Sequence, residues 1–316
     1  MEVFLGIDGG GTKTKFILCS RDGHIIAETV KPACSYLQVG FPRLTEILSE
    51  GLSDVCAMAG VASGDIVHAF AGTSCYGDVE ADCSPIRAAV AAAMGSIPHT
   101  IGNDCENSLA GTLGGDCGIS IICGTGSIAC GMNAKGEVMR CGGWHQAIGG
   151  DEGSGYWLGL QLIRLFTRQS DGRDPVSPLY AAVKNALGIS SDDAVVSLVV
   201  NEWGMDRTKI AALSGLISGL HAQGDPYVKD LLRQAACELA SLAGALYRRL
   251  SFSGIVPVSY SGGVFNLGEL ILSPLRDLLS EGGMKLRPPK QPPDIGALIL
   301  AFMHAGVPVP ESLAKA

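Results

Sequence analysis

The stretch GIDGGGTKTKFIL, residues 6–18, sets three consecutive glycines between two apolar runs. Glycine loses more backbone entropy on folding than any other residue, so a cluster of it needs a backbone reason. Two are available. A tight hairpin between two strands can call for positive φ. A backbone without Cβ atoms also lets its N–H groups close on a phosphate. Gly9, Gly10, Gly11 and Thr12 suit both. A P-loop is excluded, because no glycine here directly precedes a lysine and the following residues are strand-like.

Outward from this stretch, VFLGID, KTKFILCS and IIAETV read as three strands joined by the turns GGGT and RDGH. A helix is predicted over RLTEILSEGLSDVCAMAG, a buried strand over IVHAFAG, a helix over PIRAAVAAAMG and a strand over HTIGND. From residue 118 the order starts again. GISIICGTGSIACGMNAKGEVMRCGG is strand, Gly/Thr turn, strand, basic-plus-Gly turn, strand, which marks a diverged internal duplication. GTGSIA, residues 124–129, matches a dinucleotide fingerprint. A hairpin turn follows too soon for the helix that fingerprint must open. The later chain is mainly helical: YWLGLQLIRLFTRQ, PLYAAVKNAL and PYVKDLLRQAACELASLAGALYRRL. A strand over IVPVSYS then leads into the turn SGGVFN, followed by the helix ELILSPLRDLLSEG, a Pro-rich connector and a closing helix DIGALILAFMHAG.

Composition narrows the function. The 316 residues carry 23 Lys and Arg against 31 Asp and Glu, a net charge of −8, with no basic stripe of the kind nucleic acid requires. No apolar run reaches the length of a membrane span, and Met1-Glu2 lacks the basic start of a secretory leader. The eleven cysteines include no Cys-x-x-Cys pair, so reduced thiols in a cytoplasmic protein are expected. An acidic chain can still take a phosphorylated ligand if amides or a cation compensate locally. Asp8, at the end of the first strand, would repel phosphate unless Mg²⁺ lay between them. Asp151 and Glu152 precede a helix and could complement its N-terminal dipole, the preferred reading for Glu152.

Taken together, GIDGGGTKT, GNDCENSLAGTLGG, ICGTGS, CGGWHQAIGGDEGSGYWLG, QGDPYV, SGGVFN and PPDIGALILA resemble the N-acetylglucosamine kinase family of BadF/BadG/BcrA/BcrD-type ATPases, in the sugar kinase, heat-shock-70 and actin superfamily. The resemblance covers essentially the whole chain. It implies an α/β fold of two ribonuclease-H-like, actin-like ATPase lobes with a cleft between them. Residues 1–114 would form the first lobe, completed by a C-terminal helix at about 295–316. Residues 115–294 would form a larger lobe with helical insertions.

It implies an ATP-dependent amino-sugar kinase using ATP and Mg²⁺. Gly9, Gly10, Gly11, Thr12 and Lys13, with Gly124, Thr125, Gly126 and Ser127, would clasp the ATP phosphates. Gly262 and Gly263 would flank the nucleotide, with QGDPYV also on the adenosine side. Asp8 would hold Mg²⁺ through water, and Asp104 would be the general base for the sugar hydroxyl. Ser35, Asn103, Asp104, Thr125, Gly143, Trp144 and Asp151 would face the sugar. Ser35 stands where family members commonly carry an Asn, which leaves glucosamine and N-acetylmuramic acid open beside N-acetylglucosamine. The alternative is an ATPase activator of the 2-hydroxyacyl-CoA dehydratase or benzoyl-CoA reductase type. Cys123 resembles that type's cysteine ahead of the loop, but the helix after such a loop is missing. The expected partners are ATP and an amino sugar, with no nucleic acid, no membrane, and a homodimer.

Overall fold

Strand β1 (Val3–Gly9) is apolar on both faces and lies in the middle of a five-stranded sheet. Burial on both faces explains why it reads as a continuous apolar run. In this computed structural model, which describes residues 1–315, β1 pairs antiparallel with β2 (Lys13–Ser20) and β2 with β3 (Ile25–Pro32). On its other side β1 pairs in parallel with β4 (Ile66–Thr73), and β4 with β5 (His99–Asn103). Val3, Leu5 and Ile7 pack with Phe16 and Leu18 against residues of the helices Tyr36–Ala59 and Glu80–Met94. Phe4, Ile17 and Phe70 point the other way, into a core with Ala297–Phe302 of the helix Pro293–His304. Gly6 is required by that contact: a Cβ there would meet the Leu298 backbone N at 2.8 Å. Phe4 and Phe302 stack with ring centroids 3.8 Å apart.

The second sheet repeats the plan. Strands β6 (Gly118–Cys123), β7 (Ser127–Met132) and β8 (Val138–Gly142) form the meander, with β9 (Val256–Ser261) and β10 (Met284–Leu286) on the other side of β6. The sheet orders are β3-β2-β1-β4-β5 and β8-β7-β6-β9-β10, so the duplication seen in the turns extends to whole-sheet topology. Helices fill corresponding places. Glu80–Met94 joins β4 to β5, and Glu269–Glu281 joins β9 to β10. Between third and fourth strands the first repeat has one helix, Tyr36–Ala59. The second has a helical insertion that runs from Gly155–Ser170 to Pro226–Arg249.

The chain divides into two compact units: Met1–Ser120 with the stretch from Pro288 onward, and Ile121–Arg287. Several elements were not foreseen in the sequence, among them these two. The helix Asp104–Leu113 follows β5, and its residues from Cys105 on are almost all buried, polar and small ones included, so no apolar stripe announces it. Ser197–Glu202 is a π-helical turn.

Candidate functional site

In the first unit the Gly turn closes when the Gly10 N–H donates to the Lys13 carbonyl at 3.0 Å. The N–H groups of Gly11 and Thr12 have no acceptor among the described residues, and both residues are exposed. The glycines do not serve as the sequence suggested in one respect: none of Gly9, Gly10 and Gly11 has positive φ. Gly9 is needed because a Cβ would meet Cys34 Sγ at 2.6 Å and the Gly72 carbonyl at 3.0 Å. A Cβ on Gly11 would meet nothing. Open space and close packing, not left-handed geometry, place these glycines.

Asp8, pairing with Lys15 and Gly72, sits at the head of this turn. Asn107 Nδ2 donates to Asp8 Oδ1 at 2.8 Å and to the Ile7 carbonyl at 3.2 Å. Burial pushes the Asp8 carboxyl above the usual range, against the pull of the Asn107 amide; Asp294 pushes it up further, and Lys13 and Lys15 pull it down. Lys15 Nζ reaches Asp294 at 2.7 Å and Glu28 at 2.8 Å. Burial disfavours the Lys15 charge, but these two carboxylates override it and raise its pKa. The residues fit Mg²⁺, which keeps several waters and needs only one or two carboxylates besides phosphate. Asp8 gives a carboxylate that burial leaves short of positive charge. Buried Asn107 Oδ1, without a partner, gives an acceptor for a water proton.

Three predicted residues lie in the same unit. Asn103 caps the helix Asp104–Leu113: its Oδ1 accepts from Cys105 N at 3.1 Å, and Glu106 Oε1 accepts from Asn103 N at 2.9 Å, a capping box. Asn103 Nδ2 also donates to the Tyr76 carbonyl at 2.8 Å. Asp104 is the first helical residue, where the helix dipole favours a carboxylate. Ser35 is buried at the start of its helix with Oγ 3.7 Å from Cys75 Sγ. Cys75 adopts φ 69°. The thiols of Cys34 and Cys75 both feel Asp104. Burial is the main force on each and takes Cys34 up to about 11, so both stay protonated.

In the second unit the turn Gly124–Ser127 closes on its own backbone too, one residue tighter, Gly124 N donating to the Gly126 carbonyl at 2.9 Å. Thr125 is exposed and its N–H, like that of Gly126, has no acceptor among the described residues. The helix Gly155–Ser170 starts on this turn: Gly155 N donates to the Gly124 carbonyl and Tyr156 N to the Thr125 carbonyl. Ser154 caps that helix by accepting from Trp157 N at 3.2 Å, and its first turn holds no acid. The dipole role expected of Glu152 is therefore not seen; its carbonyl instead accepts from Ser127 Oγ at 2.7 Å. A cavity of 430 Å³ opens between Gly124, Thr125, Gly263 and the helix Arg207–Ala212. Gly262 has φ 107°, and a Cβ there would run into the Cys123 backbone.

Asp151 is only 3% exposed. Its Oδ1 accepts from Ser127 N at 3.1 Å and its Oδ2 from the Arg207 guanidinium at 2.5 Å. Gly143 has φ 72°, and Trp144 is 68% exposed, so its ring is not part of the core. Asp225 of QGDPYV is wholly engaged in structure, accepting from Ser177, Leu179 N and Tyr227 N. Cys123 is buried and donates to the Gly153 carbonyl at 3.4 Å. Lys15, Asn107, Asp294, Thr208 and Arg207 were not singled out in the sequence. The capping-box spacing from Asn103 to Glu106 could have revealed the helix carrying Asn107; nothing local marks Arg207.

A family profile described as the BadF/BadG/BcrA/BcrD ATPase family matches residues 5–301. An N-acetyl-D-glucosamine kinase of Dictyostelium discoideum is 30% identical over 95% of this chain and 98% of its own. An N-acetylmuramic acid/N-acetylglucosamine kinase of Clostridium acetobutylicum is 27% identical over the same shares. Among solved structures, a protein of Chromobacterium violaceum assigned as an N-acetylglucosamine kinase superposes with a TM-score of 0.74 at 26% identity, covering 95% of this chain and 99% of that one. The α/β architecture of two ribonuclease-H-like, actin-like units is thus shared. Among the described residues no helix is long and apolar enough to cross a membrane.

Proposed function

The chain belongs to the BadF/BadG/BcrA/BcrD ATPase family, and from that premise we propose that it is an ATP-dependent amino-sugar kinase. The observation that carries this reading is the pair of matching turns, each with two consecutive N–H groups left for an anion. Beside the second turn lies a cavity within the size range of small-ligand pockets, walled by Gly155, Ala211, Ala212 and Gly263 with hydroxyls from Thr125, Thr208 and Ser214. Small walls and hydroxyls suit a nucleoside. Gly9–Lys13 and Gly124–Ser127 serve the ATP phosphates, and Gly262 and Gly263 the nucleoside.

Phosphoryl transfer proceeds through a loose transition state, so the protein's work is positioning and charge stabilisation. Asp104 accepts the proton of the sugar hydroxyl, the 6-hydroxyl in this reading, as that oxygen bonds to the γ-phosphorus and ADP leaves. Ser35, Asn103, Thr125, Gly143 and Trp144 serve the sugar. Asp8 would hold Mg²⁺ through water, and the ion would offset the negative charge of the phosphates. The protein acts in the cytoplasm as a homodimer. N-acetylglucosamine is the first acceptor to try. Buried Ser35, lacking an amide, favours testing glucosamine and N-acetylmuramic acid beside it.

A coupled ADP-release assay with Mg-ATP against those three sugars, N-acetylmannosamine and glucose tests the reading. Turnover of one amino sugar, abolished in Asp104→Asn, is the expected result. Turnover that survives Asp104→Asn would remove the base assignment. Silence across the panel from folded, ATP-binding protein would move the reading to an ATPase.

A further inference from the structure

The bond from Gly10 N to the Lys13 carbonyl closes the first turn but does not hold the peptide between its two central residues, Gly11 and Thr12. In a four-residue turn this central peptide is the part that can turn over, since types I and II differ mainly in its direction. Packing does not restrain it at Gly11, where even an added Cβ would meet nothing. A side chain does: Gln38 Nε2 donates to the Gly11 carbonyl at 3.1 Å. A planar trans peptide points its N–H opposite to its C=O. Fixing the Gly11 oxygen therefore fixes the direction of the Thr12 N–H, one of the two amides this turn leaves open.

Gln38 is carried by a turn of its own. The helix Tyr36–Ala59 is broken at Gly40, whose φ of 76° is left-handed, and Pro42 follows. Ahead of the break, Gln38 N and Val39 N both donate to the Ser35 carbonyl, at 2.9 and 3.1 Å. The Tyr36 ring stacks on Phe41 with centroids 5.1 Å apart, and its hydroxyl donates to Asp82 Oδ2 at 2.6 Å. The backbone under Gln38 is thus anchored on both sides, while Gln38 itself is exposed and supports no core. We propose that Gln38 is a positioning residue: its amide sets the Gly11–Thr12 peptide so that the Thr12 N–H faces the nucleotide phosphates. An amide already aimed lowers the ordering cost of binding, so Gln38 acts on the affinity for phosphate-bearing nucleotides and leaves the nucleoside and the sugar alone.

This inference rests on the ATP-dependent reading, and the test separates the two. Gln38→Met keeps the length of the side chain and removes its amide. Dissociation constants for Mg-ATP and for adenosine are measured by calorimetry without sugar, alongside KM for the amino sugar and the thermal midpoint. Gln38→Met is expected to weaken Mg-ATP binding about 3- to 10-fold, the range one hydrogen bond accounts for. Adenosine affinity and the sugar KM should stay within about twofold and the thermal midpoint unchanged, because the bond acts on an amide that adenosine and sugar do not use. In the protein without nucleotide, the ¹⁵N order parameter of the Thr12 amide should fall from about 0.85 to below about 0.6 in the variant, as a freed peptide requires. A Thr12 amide as rigid as in the wild type would overturn the proposal. So would unchanged ATP affinity, an equal loss for ATP and adenosine, or an effect confined to the sugar KM. If the wild type binds ATP but turns over no amino sugar, the kinase reading fails while the comparison of ATP with adenosine still decides Gln38. If it binds no nucleotide, both fall.

Discussion

The two Gly turns begin alike and are finished differently. Each closes on its own backbone, at Gly10 and at Gly124, and leaves the next two amides open. The first turn is preceded by a carboxylate, Asp8, and is open above Gly11. The second is preceded by a buried thiol, Cys123, and is braced by Asp151 and Arg207. One unit sets a buried carboxylate just before its turn, and the other braces its turn with an Asp–Arg ion pair. Duplication fixed the backbone device; the divergent residues around it separate the two jobs.

The largest effect should come from the charge. Asp8→Asn is expected to cut kcat roughly 10²–10³-fold, as loss of a group acting on transition-state charge does, with the thermal midpoint little changed. Cys123→Ala, at the end of β6, should cost about 1 kcal/mol of stability, as small core truncations do, and leave kcat within twofold. Equal effects of these two substitutions would break the comparison. The next effect is steric. Gly126→Ala should destabilise by about 1–3 kcal/mol through overpacking against Arg207 and Asp151. Gly11→Ala should stay within about 0.5 kcal/mol, because nothing lies near its Cβ. Urea midpoints read both.

The smallest effect lies in the helical insertion that only the second unit has. Lys184, then Ser170 and Tyr180, take the Asp192 carboxyl down to about 2. A depressed acid pKa stabilises above the unfolded value, roughly 4 for an aspartate, and that contribution is lost as pH falls toward 2. Asp192→Asn should therefore flatten the fall of the urea midpoint between about pH 4 and pH 2 and change nothing at pH 7. A slope identical to wild type would show that solvent screens this exposed cluster fully.

The meanders were legible because glycine, apolar alternation and turn residues agree locally in β1–β3 and β6–β8. The helix Asp104–Leu113 was hidden because Asn107, Ser108 and Thr112 are buried and erase the amphipathic stripe. β10 is three residues long, too short for any period. The two turns, Asp8 and Asp104 could be singled out because strand ends and Gly loops are sequence features. Lys15–Asp294 and Asp151–Arg207 could not, since each pair is joined only by the fold. The purpose of Gly9–Gly11 was half legible: the closeness of the backbone could be read from composition, its sign of φ could not.

The stacking of Phe4 on Phe302 has a consequence for biosynthesis. The first unit takes its second core layer from Ala297–Phe302, and Gly6 is shaped to receive that helix. A ribosome delivers β1 first and this helix only after the whole of Ile121–Arg287. The nascent β-sheet must wait with one greasy face bare, while the later-made unit has all its parts and can finish first. Order of manufacture and order of completion are thus reversed, and the interval between them is when a chaperone would be needed.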